Sequence, residues 1–283
     1  MKSCTWHQII SSGNKIINKV IKMDNVLNYY KDYDEDKRLE KTNLHKIEYL
    51  TTLHFLDKFI TPNSKVLDLC AGTGAYSFYL ESRGHSVTAV DIVPKFVEIL
   101  RQKKKELSSK IDIHLGDARD LKKLNVNDFD VVLCMGALYH LKNEVDRGTV
   151  INECRSVLKE NGIVVSSYIN RYASFVLELI KMKNSLDTSE LTEILNKGYK
   201  SNTKEDPFYG SSPYEIDKLM KEHNIEKISN IGVDGIGYLI CDKILNFNDE
   251  EYKFWLETHY NKCEDENIIG CSLHGLYIGR KKR

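Results

Sequence analysis

Between residues 65 and 168, short apolar runs alternate with stretches patterned like helices, and nothing else in the chain constrains its fold as much. Strands are expected near 65–70, 87–91, 111–115, 129–134 and 162–168, and helices near 75–83, 94–107, 143–159 and 213–223. Strands separated by helices pair through crossovers, and the crossovers cover both faces of a parallel sheet. The expected class is therefore α/β, doubly wound. Lys159-Glu160-Asn161-Gly162 reads as a helix stop that turns the chain into the fifth strand.

The flanks are less regular. Residues 1–22 carry lysines, no acids and no clear periodicity, and read as a loosely attached extension. A polar stretch with Tyr29, Tyr30 and Tyr33 follows, then an amphipathic helix over 43–60 with Leu44, Ile47, Leu50, Leu53, Leu56 and Ile60 on one stripe. Beyond Tyr168 comes one apolar helix, RYASFVLELIKM, then polar sequence broken at Asp206-Pro207. That is long for a connection within a sheet, so a cover over one edge is expected. A strand over 225–233, a helix over 248–261 and a strand in CSLHGLYIGRKK complete the pattern. The expected division is 1–22 as extension, 23–62 as lid and helix, and 63–283 as the main domain, with cover insertions at about 170–212 and 236–262.

Composition narrows the function. The 41 basic and 41 acidic side chains balance, which argues against nucleic acid as a partner. No apolar run is long enough to cross a bilayer, and the N-terminal lysines lack the apolar core of a secretory signal, so a cytoplasmic place is expected and no membrane partner. The cysteines Cys4, Cys70, Cys134, Cys154, Cys241, Cys263 and Cys271 are scattered and odd in number, which suggests reduced thiols rather than zinc or disulfides. Cys70 and Cys134 read as small core residues. No metal is expected.

Parallel sheets bind ligands beyond the carboxyl ends of their strands, and the informative residues fall there. Gly72 and Gly74 follow the first strand, Asp91 ends the second, Gly116-Asp117-Ala118 follows the third, and Cys134-Met135-Gly136 ends the fourth, with Tyr139 and His140 shortly after. Asp91 reads as a ribose ligand or as a plain strand-end acid. Asp68 within the strand suits a ligand ammonium group or caps a local turn. Asp117 and the Ala118 N–H match an adenine edge, or Asp117 belongs to an ordinary turn. A dinucleotide fingerprint needs a third small residue where Ser77 stands. Together these groups fit adenosine plus an amino acid, without phosphates.

VLDLCAGTGAYSFYL, VTAVDIV, GDARDL, FDVVLCMGALYHL and VLKENGIVVSSY together resemble the class I S-adenosylmethionine-dependent methyltransferases, over roughly residues 43–168. The resemblance implies a Rossmann-like, mostly parallel seven-stranded sheet with the last strand antiparallel, plus a helical cover over the site. It implies S-adenosylmethionine as cofactor, with Asp68, Ala71, Gly72, Thr73 and Gly74 as its loop, Asp91 on the ribose, and Ile92 against the adenine. Asp117 and Ala118 would read the adenine edge, and Met135 and Gly136 would face the methionine part. Cys70 departs from the glycine often found there. In similar bacterial enzymes an N-terminal segment closes over the cofactor. Tyr29, with Tyr30 and Tyr33, would pack there and Arg38 would meet the carboxylate, or the tyrosines lie on a plain surface.

MGALYHL is similar to the LGPLYHL stretch of a broad group of bacterial methyltransferases acting mainly on small or unassigned substrates. His140 reads as a general base or as a structural histidine, and Tyr139 as a substrate-positioning or a packing residue. The acceptor is then a small molecule bearing N, O or S, and the protein a monomer or homodimer. Tyr168, Tyr172, Phe175, Phe208, Tyr209, Tyr238 and Trp255 line an acceptor pocket or belong to ordinary core. A non-catalytic cofactor-binding module and a nicotinamide-dependent oxidoreductase are the alternatives.

Overall fold

The computed structural model describes residues 25–182, 185–201 and 206–282. The extension expected over 1–22 lies outside the described residues. The strands are β1 (Lys65–Leu69), β2 (Ser86–Asp91), β3 (Asp112–Leu115), β4 (Phe129–Cys134), β5 (Leu158–Asn170), β6 (Gly210–Ser211), β7 (Ile225–Gly232) and β8 (His274–Lys281). The helices are α1 (25–31), α2 (Asn43–Phe59), α3 (Ala75–Ser82), α4 (Pro94–Glu106), α5 (Ala137–His140) and α6 (Glu144–Val157). They continue as α7 (Arg171–Lys181), α8 (Thr188–Lys197), α9 (Pro213–Glu222), α10 (Cys241–Leu245), α11 (Asp249–Tyr260) and α12 (Glu266–Cys271).

The strands lie in the order β3-β2-β1-β4-β5-β8-β7, with β6 paired to β5 off this path. β1 to β5 are parallel. β8 runs antiparallel between β5 and β7. Seven strands form the expected sheet, and the two-residue β6 is an eighth. A Gly-Ser pair is too short to show alternation, which is why sequence patterning does not find it.

Strand alternation sends successive side chains to two separate cores. Leu67, Leu69, Val132, Cys134 and Val164 pack with Val150, Ile151 and Cys154 of α6 and Ile216 and Met220 of α9. Val66, Ala89, Val131, Leu133 and Val165 pack on the other face with Phe55 and Leu56 of α2, Leu80 of α3 and Leu100 of α4. The helices start where side chains satisfy their free N–H groups. Thr42 caps α2, Asn170 caps α7, and α9 opens with a reciprocal Ser212–Glu215 box.

Three local expectations are corrected. The buried face of α2 is Ile47, Thr51, Thr52, Phe55 and Leu56, rotated from the expected leucine stripe. Leu44 and Leu53 are only half-buried because α2 also packs against α10 and α11. β1 stops at Leu69, and Cys70 sits in the loop with a left-handed φ of 61°, half-buried and packed against the edge of the core. α6 ends at Val157, and the Lys159–Gly162 stop signal lies inside β5, where Asn161 takes φ 63° and the β4–β5 register shifts. Among the described residues no helix is long and apolar enough to cross a membrane.

Candidate functional site

The strand order reverses between β1 and β4, so their carboxyl ends open a crevice. Leu69 pairs with Val90 on one side and Cys134 on the other, which brings the loop 70–74, Asp91 and Met135 to one level. The loop holds three left-handed residues, Cys70, Gly72 (φ 55°) and Gly74 (φ 92°). A Cβ on Gly74 would come within 2.6 Å of Leu100 and Phe78 side chains, and one on Gly136 within 2.7 Å of the Cys70 Cβ. Only glycine permits that approach.

Asp91 ties the loop to β2. Its Oδ2 accepts from the Gly72 N–H at 2.8 Å and its Oδ1 from the Val93 N–H at 2.8 Å. Burial raises its pKa to about 6 against the pull of these N–H groups. Asp68 is fully buried on the α3 side of β1, where its Oδ2 accepts from Ser77 Oγ at 2.6 Å. Its Oδ1 has no hydrogen-bond partner among the described residues. Burial, with a smaller contribution from Asp91, pushes its carboxyl up to about 7. Asp117 is held by Arg119, whose Nη2 lies 2.7 Å from its Oδ2 and whose Nε lies 3.0 Å from its Oδ1.

Three cavities meet here. The largest, about 630 Å³, is lined by residues 70–76, Asp91, Ile92, Met135 and Gly136. A narrower one of about 130 Å³ runs past Ile92, Gly116, Asp117, Ala118 and Leu141. A third, about 340 Å³, lies under α7 and α8 and is walled by Tyr29, Tyr33, Leu177, Tyr199, Phe208 and His274. The first and third share Tyr30, Glu35, Arg38, Tyr76, Met135 and Tyr139 as a common wall. Every site residue expected from sequence lines one of the three except Asp68, which stands behind the loop.

α1 closes the crevice from the N-terminal side. Tyr29, Tyr30 and Tyr33 pack on one another, Tyr29 meets Phe208 edge-on at 5.3 Å, and Tyr30 meets Phe96 at 5.3 Å. Lys95 Nζ donates to the carbonyls of Lys31 and Tyr33, both at 3.1 Å. Tyr30 Oη lies 3.0 Å from His140 Nε2, while His140 Nδ1 faces the Pro207 carbonyl at 3.4 Å. Nδ1 therefore carries the ring proton and Nε2 accepts. Burial lowers the His140 pKa to about 4 and outweighs the carbonyl. Tyr139 donates to the Met135 carbonyl at 2.7 Å.

Arg38 is engaged by acids. Its Nη1 and Nη2 donate to Glu48 at 2.8 and 3.2 Å, and its Nε donates to Glu35 at 2.9 Å. Two of its five N–H groups remain for another acceptor. Sequence reasoning missed Glu48, Asp234 and His274, which form one wall with Arg38. Glu48 left a trace, a charge between Ile47 and Leu50 on an apolar stripe. Asp234 and His274 meet only through the fold.

Of the seven aromatics considered for an acceptor pocket, only Phe208 lines the third cavity. Tyr168 is core, with its hydroxyl on Asn230 at 3.1 Å, and Tyr209 packs under the Arg147 guanidinium. Tyr172 stacks on Phe175 at the surface, and Trp255 packs on Phe247. Tyr29 and Tyr30 of α1, with Tyr33 just after it, line the third cavity.

A family model described as a methyltransferase domain matches residues 66–162. The ubiquinone biosynthesis O-methyltransferase of Xanthomonas campestris pv. campestris is 30% identical over 145 residues, 51% of this chain and 57% of that protein. The protein of the same name from Hydrogenovibrio crunogenus is 27% identical over 193 residues, covering 68% and 74% of the two chains. The chain thus spans little more than half the length of the first of these relatives. An S-adenosylmethionine-dependent methyltransferase from Clostridium acetobutylicum shares the fold, with TM-score 0.57, 14% identity, and 95% and 100% of the two chains covered.

Proposed function

We propose that the chain is a class I S-adenosylmethionine-dependent methyltransferase that transfers a methyl group to a small-molecule acceptor, a reading supported by the match of residues 66–162 to a methyltransferase domain. The observation that carries this reading is the unpartnered Asp68 Oδ1 beside a loop of glycines that ends against Asp91. Buried acids and bare main chain suit a nucleoside joined to an amino acid, and suit a pyrophosphate poorly.

Asp91 would accept from the ribose hydroxyls with its remaining lone pairs, and Ile92 would pack on the adenine. Asp117 and the Ala118 N–H would meet the adenine edge, with Arg119 keeping the Asp117 carboxylate in place. Asp68 would balance the ammonium group through the loop, and the free N–H groups of Arg38 would meet the carboxylate. Met135 and Gly136 would flank the methionine part, with Tyr139 holding the Met135 carbonyl. When bound, S-adenosylmethionine supplies an activated methyl on a sulfonium and a neutral leaving group. The protein then has to orient the acceptor, exclude water and manage a proton. His140 serves best as a positioning residue that joins α1 to the cover at Pro207, because both its ring nitrogens are engaged and its proton affinity is low.

Calorimetric titration with S-adenosylmethionine, beside release of S-adenosylhomocysteine over a panel of phenols, amines and thiols, tests the reading. Asp91→Ala is expected to weaken binding by more than about ten-fold, from two lost ribose hydrogen bonds. Binding of nicotinamide cofactors in place of the sulfonium would sink the proposal. Sulfonium binding without turnover of any acceptor would leave a binding module.

A further inference from the structure

His274 opens β8, and its ring meets two acids from distant parts of the chain. Nδ1 lies 2.8 Å from Asp234 Oδ2 and 4.0 Å from Glu48 Oε2. Asp234, just after β7, is itself fixed, because its Oδ1 accepts from Ser272 Oγ at 2.5 Å and from the His274 N–H at 3.0 Å. Nδ1 faces only carboxylates and so carries a proton. Nε2 has no hydrogen-bond partner among the described residues. The side chain is 30% exposed although β8 is an interior strand, because it faces the tyrosine-walled cavity.

We propose that this cavity takes a phenolic acceptor, and that His274, oriented by Asp234, meets the acceptor hydroxyl through Nε2 and receives its proton as the oxygen is methylated. The proposal rests on the methyltransferase reading and adds the class of acceptor and the residue that handles its proton. The walls suit an aromatic ring: Tyr29 and Tyr33 stack with centroids 5.5 Å apart, and Phe208 stands against Tyr29. The charges suit a neutral acid. Glu35, Glu48, Glu178 and Asp206 line this cavity with Arg38, Lys200 and His274, and Asp234 stands behind His274, an acidic excess that disfavours an acceptor arriving as a carboxylate. An incoming ammonium would meet the donors of Arg38 and His274, since both Glu48 oxygens already accept from Arg38.

The raised pKa keeps both ring nitrogens protonated at neutral pH, so the step belongs to the fraction of molecules in which Nε2 is deprotonated, a fraction that grows as pH rises toward 9; there the hydroxyl proton passes to the Nε2 lone pair. The oxygen's electron pair becomes the new O–C bond, and the pair of the broken C–S bond stays on sulfur, turning sulfonium into thioether. The charged and titratable groups around the ring are Asp234, Glu48 and His45 of α2, and Arg38. Burial opposes the ring's protonation, but Glu48 and Asp234 outweigh it and raise the pKa to about 9. A phenol titrates near ~10, so the proton affinities of the two partners are close.

The test is long-range ¹H–¹⁵N NMR of the histidine rings in the full chain, with H274Q for assignment and 4-nitrophenol as probe. The expected result is one histidine that stays protonated to near pH 9, whose Nε2 signal moves when the probe binds. The bound probe should ionise at a pH at least about one unit lower than when free, and H274Q should abolish this shift. In D234N the His274 pKa should fall, and the rising limb of kcat/KM for a phenol should move to lower pH while S-adenosylmethionine affinity holds. If H274Q does not fold, the D234N and wild-type titrations carry the test. Titration of His274 near its ordinary pH, a bound probe that leaves its ring unperturbed, or phenol turnover unchanged in H274Q would each overturn the proposal. Failure to bind the sulfonium with the NMR result intact would overturn the methyltransferase reading and the methylation step, and leave only a hydroxyl-binding site.

Discussion

At the scale of the residue, Asp68 shows how function is stored as an energetic cost. A buried carboxyl with one oxygen unpartnered resists ionisation, and its pKa stands near 7 rather than near 3.8. A carboxylate whose folded pKa is raised makes the folded state lose stability as pH climbs from the ordinary value through the raised one. Unliganded wild-type protein should therefore lose stability between about pH 4 and pH 7 from this group. Asp68→Asn removes that dependence. Relative to wild type, the variant should gain on the order of 2 kcal/mol between pH 4 and pH 8 in urea unfolding, and should bind S-adenosylmethionine more weakly. A wild-type–variant difference that does not change with pH would mean that Asp68 ionises normally. Cys70 carries a similar cost in the backbone, since a side chain at φ 61° occupies a conformation that favours glycine.

At the scale of the element, α1 is short and its attachments are few. Ion pairing between Lys103 and Asp36 secures the segment that follows it, Lys95 caps its C-terminal carbonyls, and Tyr30 joins His140. These contacts hold the described part of α1, residues 25–31, against the crevice. Tyr30→Phe removes one hydrogen bond, worth about 1 kcal/mol. Hydrogen exchange over 25–33 should quicken by about five-fold, while exchange in β1 and β4 stays unchanged. Equal exchange in the two proteins would show that ring packing alone holds the helix. The same contacts explain why the tyrosine cluster was legible only in outline. Its aromatic density is visible in the chain, but the partners Phe96, His140 and Phe208 come from three distant segments.

At the scale of the whole molecule, Glu35, Arg38, Glu48, His274 and Asp234 form a line of alternating charge from the segment before α2 to the last strand. Burial opposes ionisation of Glu48, yet Arg38 and His274 bring its pKa to about 2. Its share of stability is present above about pH 4.5 and is lost as pH falls toward 2. His274 has the opposite sign. Its share is full below about pH 6.5 and is lost as pH rises through 9. Glu48→Gln leaves two cations facing each other and should cost about 2–4 kcal/mol at pH 6. It should also lower the His274 pKa, so that the alkaline loss of stability begins at a lower pH. Denaturant titrations at pH 5, 7 and 9.5 would read both effects, and an unchanged alkaline limb would exclude coupling between the two residues.

Periodicity in the chain determined the parallel sheet and the strand ends at which Gly72, Gly74, Asp91 and Asp117 stand. Those are local properties: alternating burial writes a strand, a glycine marks a left-handed turn, and a strand's carboxyl end is known once its direction is known. The tertiary structure alone decided which face of α2 is buried, that Cys70 sits in a loop at the edge of the core, and which aromatics wall the cavity under α7 and α8. It also decided that Asp234 and His274, forty residues apart, share a proton beside Glu48, which lies 226 residues before His274. A charge acquires a partner, and a hydroxyl or imidazole its proton affinity, only from what the folded chain packs around it, and no pattern along the sequence records that neighbourhood.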